Sequence, residues 1–174
     1  MPMGRKVAMN RLGSLILLLL LLMSGLSVLS GCDENRDIRG GEVSPGLTGI
    51  DLNGNRIDLA QYKGKVIVLY FWHSSCCAEK LEPLDKIYTN LKDKGLVVIA
   101  TNAMDSREYI AAIAQRYSLK MPLLCDESSE NQKAFGVFGY PTFFIIDKDG
   151  IIRKRILGSI EPEQLKKLIA PYMV

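Results

Sequence analysis

Histidine and cysteine are scarce in this chain: one histidine, His73, and four cysteines among 174 residues. No resident metal or other cofactor is expected, and the one alternative set is His73 with Cys76 and Cys77, a soft group suited to copper(I) or zinc. A charge surplus is also missing. Residues 1–31 hold three of the 22 Lys+Arg (Arg5, Lys6, Arg11) and none of the 19 Asp+Glu, so the formal charge of +3 falls to zero beyond them. No positive field is left to draw nucleic acid, and no basic helix points to an anionic lipid surface. There is no internal repeat and no low-complexity tract. Nor is there an unbroken apolar run of the ~20 residues that a membrane-spanning helix needs.

The N-terminus reads as a bacterial lipoprotein signal. Basic residues precede an apolar run from Leu15 to Met23, and a small-residue segment ends in Leu29-Ser30-Gly31-Cys32. That tetrapeptide makes Cys32 the lipidated first residue of the mature protein. An uncleaved anchor or a plain secretory signal would deliver the domain outside the cytoplasm as well. Asp33, directly after the lipidated position, points to the periplasmic face of the inner membrane in a host with two membranes. With Cys32 set aside, Cys76, Cys77 and Cys125 remain. An odd number in an oxidising compartment leaves a thiol free, paired between molecules or turning over, which argues against a purely structural disulfide framework.

Residues 32–46 comprise the lipidated cysteine and a polar, Gly/Pro-bearing stretch that reads as a tether, and residues 47–174 suit one domain with one core. Leu47–Leu52 and Arg56–Leu59 flank the turn signal Asn53-Gly54-Asn55. Val66–Trp72 is apolar on both alternations, as a central strand covered on both faces should be. A helix is predicted from Cys76 to Lys94, with Leu81, Leu84, Ile87, Tyr88 and Leu91 at three- and four-residue spacing, and Gly95 ends it. Leu96–Ala100 reads as a second buried strand. A second helix, Ser106–Tyr117, should turn Tyr109, Ile110, Ile113 and Ala114 inward. A short extended piece (Met121–Cys125), a short helix (Ser128–Phe135), a hairpin around Lys148-Asp149-Gly150 and a last helix (Glu161–Ile169) complete the order. The fold class is α/β, a sandwich with a mixed central sheet and helices on both sides.

These motifs resemble the membrane-anchored thioredoxin-like proteins of the TlpA/ResA type, a redoxin group akin to AhpC/TSA, over nearly all of residues 45–172. Lys65-Val66-Ile67-Val68-Leu69-Tyr70-Phe71-Trp72, followed four positions later by Cys76, looks like the family's strand and first catalytic cysteine. Phe135-Gly136-Val137-Phe138-Gly139-Tyr140-Pro141-Thr142 looks like its cis-proline loop. The helical segment between the strands at 96–100 and 142–146 resembles the insertion that separates the group from thioredoxin. The resemblance implies a three-layer thioredoxin-like sandwich and thiol-disulfide exchange with extracytoplasmic protein thiols and disulfides. It also implies a Cys-x-x-Cys whose second cysteine is here Glu79, so the site is degenerate.

A cysteine opening a helix is acidified by the helix dipole and by unpaired N–H groups, which makes Cys76 the candidate nucleophile. Glu79, one turn on, would repel a thiolate and cannot resolve a mixed disulfide. Cys77 and Cys125 are the candidate resolving thiols, Cys125 through a Cys76–Cys125 disulfide; the other reading of each is a small core residue. Adjacent Cβ vectors on a helix diverge by ~100°, so a Cys76–Cys77 bridge would require an unwound first turn. Glu82 matches the family's proton-handling acid, or is an exposed helix charge. Pro141, with Trp72 and Tyr140, would line the groove that receives an extended partner. Two functions of different class follow: an oxidoreductase using Cys76, in which the peroxidase pattern Pro-x-x-x-Thr-x-x-Cys is absent, or a redox-inactive binding module that carries metal or docks a partner.

Overall fold

The computed structural model describes residues 40–174; the signal, Cys32 and most of the tether lie outside them. At the centre is β3 (Val66–Phe71), in which every residue is buried. It pairs in parallel with β4 (Leu96–Asn102) and antiparallel with β6 (Thr142–Ile146). With β5 (Leu123–Cys125) beyond β4 and β7 (Ile152–Leu157) beyond β6, the sheet order is β5-β4-β3-β6-β7. A separate hairpin, β1 (Thr48–Ile50) and β2 (Arg56–Asp58), precedes it.

Alternation along β3 divides the core. Val66, Val68, Tyr70 and Trp72 face α2 (Leu81–Leu91), α3 (Arg107–Arg116) and α5 (Pro162–Ile169), meeting Leu81, Leu84, Ile87, Ile110, Leu165 and Ile169. Ile67, Leu69 and Phe71 face the other way. There the cover is thinner than a layer of helices: the β1–β2 hairpin, a 3-10 turn at Leu59–Tyr62 and the five-residue α4 (Glu130–Ala134), contributing Leu47, Ile57, Leu59 and Phe135. Each large side chain fully removed from water contributes about 1.5–3 kcal/mol, so these two clusters carry the fold.

Three expectations need correction. The helix drawn from Cys76 to Lys94 is four pieces: α1 (Ser74–Cys77), a 3-10 turn (Ala78–Lys80), α2 and a second 3-10 turn (Lys92–Lys94) before left-handed Gly95. Tyr109 points outward, 55% exposed, because it follows the Ser106 cap on the solvent side of α3. The tether is shorter than drawn. Residues 41–44 run alongside Gly150–Ile152, where β7 begins, with Gly41 N donating to Ile152 O, Ile152 N to Glu42 O and Ser44 N to Gly150 O, so the ordered domain begins before Leu47.

Candidate active site

The register places the ends of several strands together. Phe71 pairs with Thr101 and with Thr142, and Asn102 pairs with Cys125. The residues that follow β3 therefore sit between the loop after β4 and the Tyr140–Pro141 peptide, which is cis.

In the turn after β3, Cys76 and Cys77 are joined by a disulfide between adjacent residues. Cys77 has left the helical region, with φ −146° and ψ 6°; the first turn is unwound, as a vicinal bridge requires. Tyr70 helps to hold it there: its buried hydroxyl donates to the Cys77 carbonyl at 2.9 Å. Burial, and then the nearby Glu79, push the Tyr70 phenol well above its ordinary value, so it stays a donor. The two sulfurs differ in access, since Cys76 is exposed and Cys77 is fully buried.

His73 caps this turn. Its Nδ1 accepts from Ser75 N at 3.4 Å and lies 2.7 Å from Ser75 Oγ, while Nε2 faces Asp105 Oδ1 at 3.5 Å. Asp105, in the loop after β4, also accepts from Ser74 N (2.9 Å), Ser74 Oγ (2.7 Å) and Asn102 Nδ2 (2.7 Å). Burial opposes its charge, but the bonds from Asn102 and Ser74, with His73 nearby, outweigh burial and hold the carboxyl below the usual carboxylate range. Buried Asn102 shapes the loop, its Oδ1 accepting from Met104 N and Asp105 N at 2.9 Å each. Neither Asp105 nor Asn102 stands out in the sequence. The one available signal is the Asn-x-x-Asp spacing directly after a buried strand.

Other residues singled out from the sequence are placed differently from one another. Trp72 is fully buried in the core, with Nε1 unpartnered, and presents no wall to a groove. Its strand alternation turns it under the helices. Tyr140 is half-buried, its ring centroid 6.3 Å from that of His73, and its hydroxyl donates to Gln132 Oε1. Pro141 is buried and its carbonyl accepts from Gly158 N. Glu82 points to solvent and pairs with Lys86 at 2.8 Å, away from the disulfide. Cys125 is a free, half-buried thiol at the end of β5, and burial pushes its titration up. His73, Cys76 and Cys77 form no ligand set here, because the sulfurs bond each other and the imidazole is engaged by Ser75 and Asp105. Among the described residues no group of three or more His, Cys, Asp or Glu side chains is arranged to hold a metal ion.

An exposed sulfur in a disulfide, set in a turn between the first central strand and a cis-proline loop, is the arrangement of a thiol-exchange site. Residues 41–155 match the AhpC/TSA family. The chain belongs to this family. Within it, the thiol-disulfide oxidoreductase ResA of Bacillus thuringiensis subsp. konkukian is 32% identical over 167 residues, spanning 92% of this chain and 95% of that protein. ResA of Geobacillus thermodenitrificans is 29% identical over 157 residues, spanning 88% and 90%. Among solved structures, a thiol:disulfide interchange protein of the thioredoxin family from Chlorobium tepidum superposes with a TM-score of 0.72 at 18% identity, over 80% of this chain and all of that one. The fold is thioredoxin-like, and the family is that of redoxin thiol-disulfide oxidoreductases. Among the described residues no helix is long and apolar enough to cross a membrane.

Proposed function

We propose that the chain is a lipid-anchored, extracytoplasmic thiol-disulfide oxidoreductase whose redox centre is the adjacent pair Cys76–Cys77 in place of a Cys-x-x-Cys. The observation that carries this is the difference in access between the two bonded sulfurs, one exposed and one buried. A partner thiolate can reach only Cys76. Its attack forms a mixed disulfide and expels the Cys77 thiolate, which takes up a proton. A second partner thiolate then attacks the partner's own sulfur in that mixed disulfide and releases Cys76. Two electrons and two protons pass to the pair, and the partner leaves as a disulfide; run backwards, the same steps reduce a partner disulfide.

In this scheme Cys76 is the exchanging thiol and Cys77 the resolving one. The Tyr140–Pro141 loop is the surface against which a partner lies. Glu82, paired with Lys86 in solvent, is left out of proton handling. Cys125 is left out of resolution, because it is a free thiol on β5 while the Cys76 sulfur is bonded to Cys77. The envelope location rests on the signal ending at Cys32, which places the partners among extracytoplasmic proteins.

Alkylation followed by intact mass of the mature protein tests both parts. Reduction should add two reactive thiols, at Cys76 and Cys77, and the N-terminal cysteine should carry the mass of a diacylglyceryl group. With a mixed-disulfide substrate, Cys76→Ser should abolish turnover, Cys77→Ser should stall at the mixed disulfide, and Glu79→Cys should raise the rate. Wild-type turnover by Cys77→Ser would sink the adjacent-pair scheme.

A further inference from the structure

Four backbone N–H groups open the turn that carries the disulfide, and all four already have acceptors. Asp105 Oδ2 takes Ser74, His73 Nδ1 takes Ser75, and the His73 carbonyl takes Cys76 and Cys77 at 3.4 and 3.2 Å. Cys76 Sγ itself lies 3.6 Å from that carbonyl oxygen, a contact that favours a thiol S–H over a thiolate. The turn is also short: α1 has four residues before Cys77 breaks it, so the aligned peptide dipoles of a long helix do not act on this sulfur. The features that acidify a cysteine at a helix start are thus withdrawn one by one.

We propose that Asp105 is a positioning residue for the redox pair: its fixed carboxylate takes both donors of Ser74 and sets an anion at the start of the turn that carries Cys76, so that reduced Cys76 keeps its proton and the pair is biased toward the disulfide. The proposal rests on the adjacent-pair function above. Four contacts fix the carboxylate: Asn102 Nδ2, Ser74 N, Ser74 Oγ and His73 Nε2. The tautomer with its N–H at Nε2, facing Asp105, is the one that leaves Nδ1 as the acceptor that Ser75 uses. The other charged groups nearby do not cancel the effect. Glu79 on the next turn adds a second negative charge, Lys80 is paired with Glu161 at 3.2 Å, and the Arg107 guanidinium is turned to the Asp51 carbonyl. Tyr140, facing His73 across the turn, stays protonated because burial and Asp126 raise it.

The test follows alkylation of Cys76 against pH in the reduced full-length protein, by mass. In wild type the midpoint should lie no lower than the ~8.5 of an ordinary cysteine. Asp105→Asn should lower the midpoint and speed alkylation at pH 7 about tenfold, with the reduction potential rising by about 30 mV for each tenfold change in the exchange constant. Asp105→Glu, which keeps the charge, should return the midpoint toward wild type. A midpoint that stays or rises in folded Asp105→Asn overturns the proposal. So does a wild-type midpoint well below 8.5, whether or not the variant folds. Alkylation needs no turnover, so a failure here is distinct from a failure of Cys76 or Cys77 to exchange with a partner.

Discussion

The two ends of the central sheet are held in different ways. At the hairpin end, the turn from β6 to β7 is closed by its own first residue: Asp147 Oδ1 accepts from Asp149 N at 3.0 Å and Ile151 N at 2.9 Å, and Oδ2 from Arg153 Nε. Asp51 does the same for the β1–β2 turn, accepting from Asn53 N and Asn55 N. At the disulfide end the local closures, by His73 on Ser75 and by Asn102 on Met104 and Asp105, are joined by bonds that cross from loop to loop. Asp105, held by Asn102, reaches across to Ser74, Asp126 gathers Asn131 and Gln132, and Gln132 receives Tyr140. Turns that use their own side chains are cheap in sequence and stiff, whereas a site assembled from four loops can be tuned at one position and felt at another.

That contrast should appear in mutants as different reach. Asn102→Ala is expected to have the largest effect, destabilising by about 2 kcal/mol because it strips one donor and two acceptor contacts from a buried loop. Denaturant unfolding measures the loss, and the alkylation rate of reduced Cys76 should change with it. An effect on stability alone would make the two ends alike. Tyr70→Phe leaves the Cys77 carbonyl without its buried donor and should cost about 1 kcal/mol by the same measurement. Its sharper signature is local, in faster hydrogen exchange over residues 74–80 and little change at the hairpin.

Asp147→Asn should be the mildest, below about 1 kcal/mol at pH 7, since Arg153 is partly solvated and the asparagine can still accept at the turn. Its pH dependence carries the information. Burial opposes ionisation of Asp147, but the bonds from Ile151, Arg153 and Asp149 hold its carboxyl below the ordinary value. A depressed native value contributes stability that is fully present above the unfolded-state value of ~3.9 and is lost as pH falls through the native one. Thermal unfolding of wild type and Asp147→Asn should therefore converge below about pH 4. A gap that persists in acid would show that packing at the hairpin, not the charge, is what the substitution removes.

The same division marks what could be read from the sequence. The Asn53-Gly54-Asn55 and Lys148-Asp149-Gly150 turns, the buried run of β3 and the family likeness around Pro141 are local patterns, and each lies where its pattern put it. The site is less legible. Cys76 and Cys77 could be seen, but the helix expected to start there depends on spacing alone, which carries no record of a broken turn or of a tyrosine seven residues back holding the Cys77 carbonyl. Asp105 and Asn102 become neighbours of the disulfide only through the pairing of β3 with β4. Trp72 shows the reverse: next to a catalytic motif it invites a functional role, yet it continues the inward alternation of Val66, Val68 and Tyr70.

The segment laid along β7 has a practical outcome. It occupies both backbone groups of Ile152, at the start of an outer strand that would otherwise be open there to another chain. A fragment begun at Leu47, where the apolar pattern starts, would uncover that border beside Arg153 and Lys154 and be prone to stick to its own copies. Including Gly40 to Gly46 keeps the border closed.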